Sequence, residues 1–132
     1  MEGPIPESVR RFIAVHIRSL EQLEILLLLA AKPEQRWSID GVYNVVRSSR
    51  NSVAERLDEL RLEGLLAFAD AERREFRYQP LSPEIADAVQ ALAQFYRERP
   101  VKIVEMIYAP QAEPLKGFAD SFKLKKDKDK EK

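Results

Sequence analysis

Residues 48–80, SSRNSVAERLDELRLEGLLAFADAERREFRYQP, admit few folds, because they set a capped helix directly against a tight hairpin. Ser49 is placed to cap a helix running to Gly64, where a residue without a Cβ suits the left-handed conformation that ends many helices. At about 100° per residue, Val53, Leu57 and Leu60 fall within about 60° of one another and define a buried stripe. Asn51, Glu55, Asp58 and Leu62 lie opposite. Beyond Gly64, apolar and aromatic residues flank a polar turn at 70–73 and Pro80 closes the segment, which predicts two strands of a β-hairpin.

The flanking segments read as helices. In PESVRRFIAVHI, residues 6–17, Val9, Phe12, Ile13 and Ile17 recur at helical spacing behind Pro4 or Pro6. SLEQLEILLLLAAKP follows, with Ser19 as N-cap, Gln22 three residues on as a capping box, and Pro33 past the end. Leucine on nearly every side marks this second helix as central and buried. Arg36 and Trp37 form a short extended piece, after which Ser38 caps a brief helix bearing Ile39, Val42 and Val46. LSPEIADAVQALAQFYRERP starts with Ser82 as cap, Pro83 at the first helical position and Glu84 in the first turn. Ile85, Val89, Leu92 and Phe95 or Tyr96 supply its apolar face, and Pro100 divides it from a shorter helix, VKIVEMIY. The expected fold class is mainly α with a small β-hairpin.

A chain of 132 residues leaves room for one core, assigned to residues 1–110, with Pro110 and Pro114 at its edge. Residues 111–132 are expected to be a flexible charged tail, since SFKLKKDKDKEK has too little apolar content after Leu124 to repay ordering. Within that tail Leu115, Phe118, Ala119 and Phe122 share one side of a helix if a helix forms, which makes them a candidate docking peptide for a protein partner.

The chain has no cysteine, which removes disulfides, Cys-based zinc sites and thiol nucleophiles, and is compatible with a cytoplasmic location. The N-terminal residues lack the basic start and apolar run of a secretory signal, and the longest apolar run, ILLLLAA, is much shorter than the roughly 20 residues that cross a bilayer. No transmembrane segment is expected. His16 is the sole histidine, so neither a metal site nor a catalytic triad can be assembled around it, and a packing role is expected instead. No cofactor motif and no catalytic residue emerge. Trp37, Tyr43, Phe68 and Tyr78 read either as core or as the lining of a ligand pocket. The zero net charge divides unevenly, with 15 basic and 17 acidic residues in 1–110 against 7 and 5 in 111–132, so any nucleic-acid contact must rely on local patches.

The order of helices, capped helix, hairpin and further helices resembles a winged helix-turn-helix. NSVAERLDELRLEGLL resembles the recognition-helix end of MarR-type regulators, and DAERREFRYQPLSPE resembles their wing and its exit into a dimerisation helix. The resemblance implies a homodimeric, sequence-specific regulator that binds double-stranded DNA, held together by helices near both ends. The residues themselves allow a compatible site. Ser48, Ser49, Arg50, Asn51 and Ser52 cluster at a helix N-terminus, where backbone amides favour phosphate and side chains meet base edges. Asn51 suits adenine, and Arg50 and Arg56 suit phosphates. Arg73 and Arg74 at the hairpin tip suit the backbone or minor groove. Ser48 and Ser49 serve equally as turn and cap residues, and Arg56 and Arg61 equally as partners of Glu59, Glu63 or Asp58. Glu55 departs from the basic residue that MarR-type helices often present; facing DNA, it is suited to accept from cytosine N4. The alternative function is a protein-interaction module that docks through this helix face or through Leu115, Phe118 and Phe122.

Overall fold

A computed structural model describes residues 3–109, so the tail residues Leu115, Phe118 and Phe122 lie outside it. In chain order the elements are α1 (Glu7–His16), α2 (Leu20–Ala30), β1 (Trp37–Ser38), α3 (Ile39–Tyr43), α4 (Arg50–Leu62), β2 (Leu66–Phe68), β3 (Glu75–Tyr78), α5 (Pro83–Glu98) and α6 (Pro100–Tyr108). The fold is mainly helical with one small antiparallel sheet.

Four helices start where their serines place them. The Oγ atoms of Ser19, Ser38, Ser49 and Ser82 accept from the amides of Gln22, Gly41, Ser52 and Ile85 at 3.1, 2.9, 3.1 and 3.2 Å. Each such cap contributes about 1 kcal/mol by satisfying an amide the helix leaves without a partner. Gln22 differs from a standard capping box, because its Oε1 accepts from Arg18 N at 2.6 Å, one residue ahead of the cap. Its side chain is fully buried. The brief helix after Ser38 ends at Tyr43, before Val46.

The hairpin pairs Leu66 with Tyr78, Ala67 with Arg77 and Phe68 with Phe76. β1 adds a third strand on the other side of β3, with Trp37 opposite Phe76, so the extended piece seen in the sequence closes the sheet in the order β1-β3-β2. At the tip Arg73 adopts φ +62, and Asp70 Oδ1 accepts from the amides of Arg74 and Glu75, both at 2.9 Å. Burial alone would raise the Asp70 pKa; these amides and the charge of Arg36 outweigh it and hold the carboxyl below its ordinary range.

Val53, Leu57 and Leu60 are fully buried, packed with Leu23, Leu26 and Leu29 of α2 and Val42 of α3 in one core. The same core continues through α1, α5 and α6 by way of Val9, Phe12, Leu92, Phe95 and Ile103. α4 therefore sits on the body by one stripe and leaves its other side outward.

α4 ends in a Schellman arrangement, with Leu65 N donating to Leu60 O and Gly64 N to Arg61 O, both at 3.0 Å. Gly64 has φ +85, and a Cβ there would stand 2.8 Å from Leu81 Cγ. Gly64→Ala is expected to destabilise the fold by about 1–2 kcal/mol in urea unfolding, because an L-residue pays that much in the left-handed region. A Leu81→Ala background should recover only the steric part. An unchanged unfolding midpoint for Gly64→Ala would show that this helix end tolerates a Cβ.

Candidate nucleic-acid interface

α3 and α4 meet through a short connection in which Ser48 N donates to Val46 O at 3.0 Å. The connection delivers Arg47, Ser48, Ser49, Arg50 and Asn51 to the surface. The first turn of α4 holds no acidic residue. Its positive dipole end is therefore not neutralised from within its own helix. Arg50 Nε donates to Asp40 Oδ1 at 2.7 Å, and its guanidinium lies 4.6 Å from the centroid of the Tyr43 ring. Arg47 approaches the same ring at 5.4 Å. Tyr43 thus holds two arginines beside the helix start.

The serines and Arg56 are engaged by the protein's own groups instead. Ser48 Oγ donates to Glu21 Oε2, and Ser52 Oγ donates to Glu21 Oε1 at 2.6 Å. Ser49 is occupied as the cap. Arg56 places its fork on Glu59, with Nε to Oε1 and Nη2 to Oε2 both at 2.8 Å, while Nη1 reaches Glu21 at 3.4 Å and Nη2 reaches Glu55 at 3.2 Å. Its side chain is 21% exposed. Arg56 therefore braces α4 against α2. Bonding to Glu59 outweighs burial and raises its pKa further above the ordinary arginine range. For Glu21, burial alone would raise the pKa, but the two serine hydroxyls and Arg56 hold the carboxyl below its usual range.

At the other end of α4, Arg61 donates to Asp58 Oδ1 from Nε at 2.9 Å and Nη2 at 2.7 Å and rests 4.5 Å from the Phe68 ring centroid. Arg73 approaches the same ring at 5.7 Å from the wing tip. Phe68 thus ties the end of the helix to the wing. Arg73 and Arg74 are both exposed, and so is Glu55 on the outward side of α4. Sequence reasoning did not single out Arg47, Arg77 or Glu21. Arg77 was available from the strand alternation that buries Phe76 and turns its neighbour outward. Glu21 carried no local signal, because its partners lie 27 to 35 positions away.

His16 Nδ1 lies 2.7 Å from Glu63 Oε1, and its ring is 4.7 Å from that of Phe12. It packs α1 against the end of α4. Of the four aromatic residues noted in the sequence, Trp37 is buried in the core, Phe68 packs on Phe76 at 5.2 Å, and Tyr43 lies beside the arginines. Only Tyr78 among them lines a large groove. Among the described residues no cluster of three or more acids or histidines is arranged to hold a metal, and no helix is long and apolar enough to cross a membrane.

No family model and no curated protein matches the chain. Solved structures do. A mutant of MepR from Staphylococcus aureus matches at 18% identity over 88% of this chain and 85% of that one, with a TM-score of 0.51. A second S. aureus MepR mutant, bound to an oligodeoxyribonucleotide, matches at 18% identity over 89% and 84%, again with a TM-score of 0.51. MepR, a transcription regulator of the multidrug efflux pump MepA in that organism, aligns at 17% identity over 86% and 87% with a TM-score of 0.49. At such identities the backbone is shared while most side chains are not. The chain has a MarR-like winged helix-turn-helix fold, in which α3 and α4 are the helix-turn-helix and β2 and β3 the wing.

Proposed function

We propose that this protein is a sequence-specific transcription regulator that binds double-stranded DNA as a homodimer. In this reading the N-terminal turn of α4 enters the major groove and the wing at residues 70–77 lies on the neighbouring backbone or minor groove. One observation carries the reading: an exposed, acid-free first turn on α4 and an exposed Arg73-Arg74 tip stand on one winged scaffold.

The roles follow from chemistry. The free amides of the first turn of α4 attract a phosphate, and Arg47 and Arg50 beside them add charge. Asn51 matches the N6 and N7 edge of adenine, and Glu55, 68% exposed, matches the N4 amino group of cytosine. Ser48, Ser52 and Arg56 act one step back, holding the helix through Glu21. A homodimer is supported by the apolar residues that α1 and α6 leave outward, Val15 at 52% and Val101 at 69% exposure. No catalytic step or cofactor belongs to this reading, and its site of action is cytoplasmic.

Selection from a randomised duplex pool at about 150 mM salt, which suppresses non-specific electrostatic binding, tests it. The expected product is a palindrome with half-sites about 10 bp, or 34–36 Å, apart. No enrichment by folded protein would sink the DNA reading. The outward side of α4 would then favour a protein partner, because Leu62 is 71% exposed on the same side as Glu55 and Asp58.

A further inference from the structure

A groove of about 760 Å³ opens between α2, α5 and the chain leaving α3. Leu27, Leu28, Val46, Tyr78 and Ala93 are among the residues that line it. At one end Tyr96 Oη donates to Glu24 Oε2 at 3.3 Å, joining the first α2 position of the groove to one of the last on α5.

The chain leaves α6 beside that end. Tyr108 Oη accepts from Leu20 N at 2.8 Å, which fixes the last turn of α6 at the head of α2. Leu20, Glu24, Leu28 and Ala31 succeed one another at helical spacing along one face of α2. The described residues stop at Ala109, next to that tyrosine, and Glu24 at the end of the groove lies one helical turn beyond Leu20. Six peptide steps separate Ala109 from Leu115 and can span about 20 Å.

We propose that the groove is the docking site for residues 115–122 of the same chain, LKGFADSF, with Leu115, Phe118 and Phe122 turned into it. Wound as a helix, this segment runs about 10.5 Å, which equals the run of positions 24–31 along α2. Tethering also favours it over a free partner, since a short linker holds the segment at millimolar effective concentration. The inference does not depend on the DNA reading, and its test contains no DNA.

The native chain has no cysteine, so Asp120→Cys gives the full chain a single attachment point, opposite Leu115, Phe118 and Phe122 on the helix. A nitroxide placed there is expected to broaden the methyl resonances of Leu27, Leu28 and Val46 and to spare those of Val15 on α1. Adding Phe118→Ala and Phe122→Ala to the labelled chain should restore the groove methyls. Broadening spread evenly over the surface, centred elsewhere, or unaffected by the two substitutions overturns the proposal. A mixture of spin-labelled chains with separate isotope-labelled chains tests the remaining occupant: groove methyls that broaden there assign the groove to the tail of a second copy and overturn docking within one chain, whereas docking within one chain leaves them sharp.

Discussion

Arg56→Ala is expected to lower the free energy of unfolding by about 1–3 kcal/mol, the usual cost of leaving part-buried polar groups without their partner. The guanidinium is shared among Glu59, Glu21 and Glu55, and Gln22 Nε2 also donates to Glu59 at 3.4 Å. Removing the charge leaves Glu21 and Glu59 near each other without a cation between α2 and α4. Arg56→Lys should recover only part of the loss, because an ammonium cannot make the two-pronged contact with Glu59. Urea unfolding measures all three proteins. Unchanged stability with weakened DNA binding would instead return Arg56 to the role of a phosphate clamp.

The same network sets an acid dependence. The folded-state pKa of Glu21 is depressed, so its contribution is present above the unfolded glutamate value, about 4.3, and is lost as pH falls through the lower folded value. Arg56→Ala removes one cause of that depression. The stability gap between wild type and variant should therefore be widest near neutrality and close below about pH 4. Asp70 is also depressed but sits at the wing and is common to both proteins, so it cancels in the difference. A gap that stays constant down to pH 3 would assign the loss to packing of the Arg56 stem.

The distinction between Arg50 and Arg56 shows where sequence legibility stops. Caps at Ser19, Ser38, Ser49 and Ser82, the glycine at 64 and the stripe of Val53, Leu57 and Leu60 were legible because each is a rule about residues a few positions apart. They were enough to give the element order and, with it, the winged fold. The bonding of Ser48, Ser52 and Arg56 to Glu21 was not legible beyond the Arg56–Glu59 pairing, because it depends on α2 crossing α4 at Glu21. For the same reason Arg50 looked like a simple phosphate ligand, whereas Asp40 and Tyr43 of α3 orient it. The extended piece at Trp37 was legible but its pairing was not, because Trp37 and Phe76 meet across nearly 40 positions. Side-chain availability in this site is a tertiary property.

The wing offers a way to separate binding from stability. Arg73→Ala with Arg74→Ala should weaken DNA binding by roughly 10- to 100-fold at about 150 mM salt and flatten the plot of log affinity against log salt by about 1.8, the slope lost with two phosphate contacts. Stability should hardly change, since both side chains are exposed. Arg73→Gly makes the point more sharply. Arg73 stands at φ +62, a conformation that costs an L-residue about 1–2 kcal/mol and glycine almost nothing. The expected variant is as stable as wild type or more so, despite losing the contact of Arg73 with Phe68, and binds DNA less tightly by about one unit of salt slope. Stability lost together with affinity would make Arg73 a structural strut of the hairpin. An undiminished salt slope would remove the wing from the DNA interface, leaving the first turn of α4 to carry recognition alone.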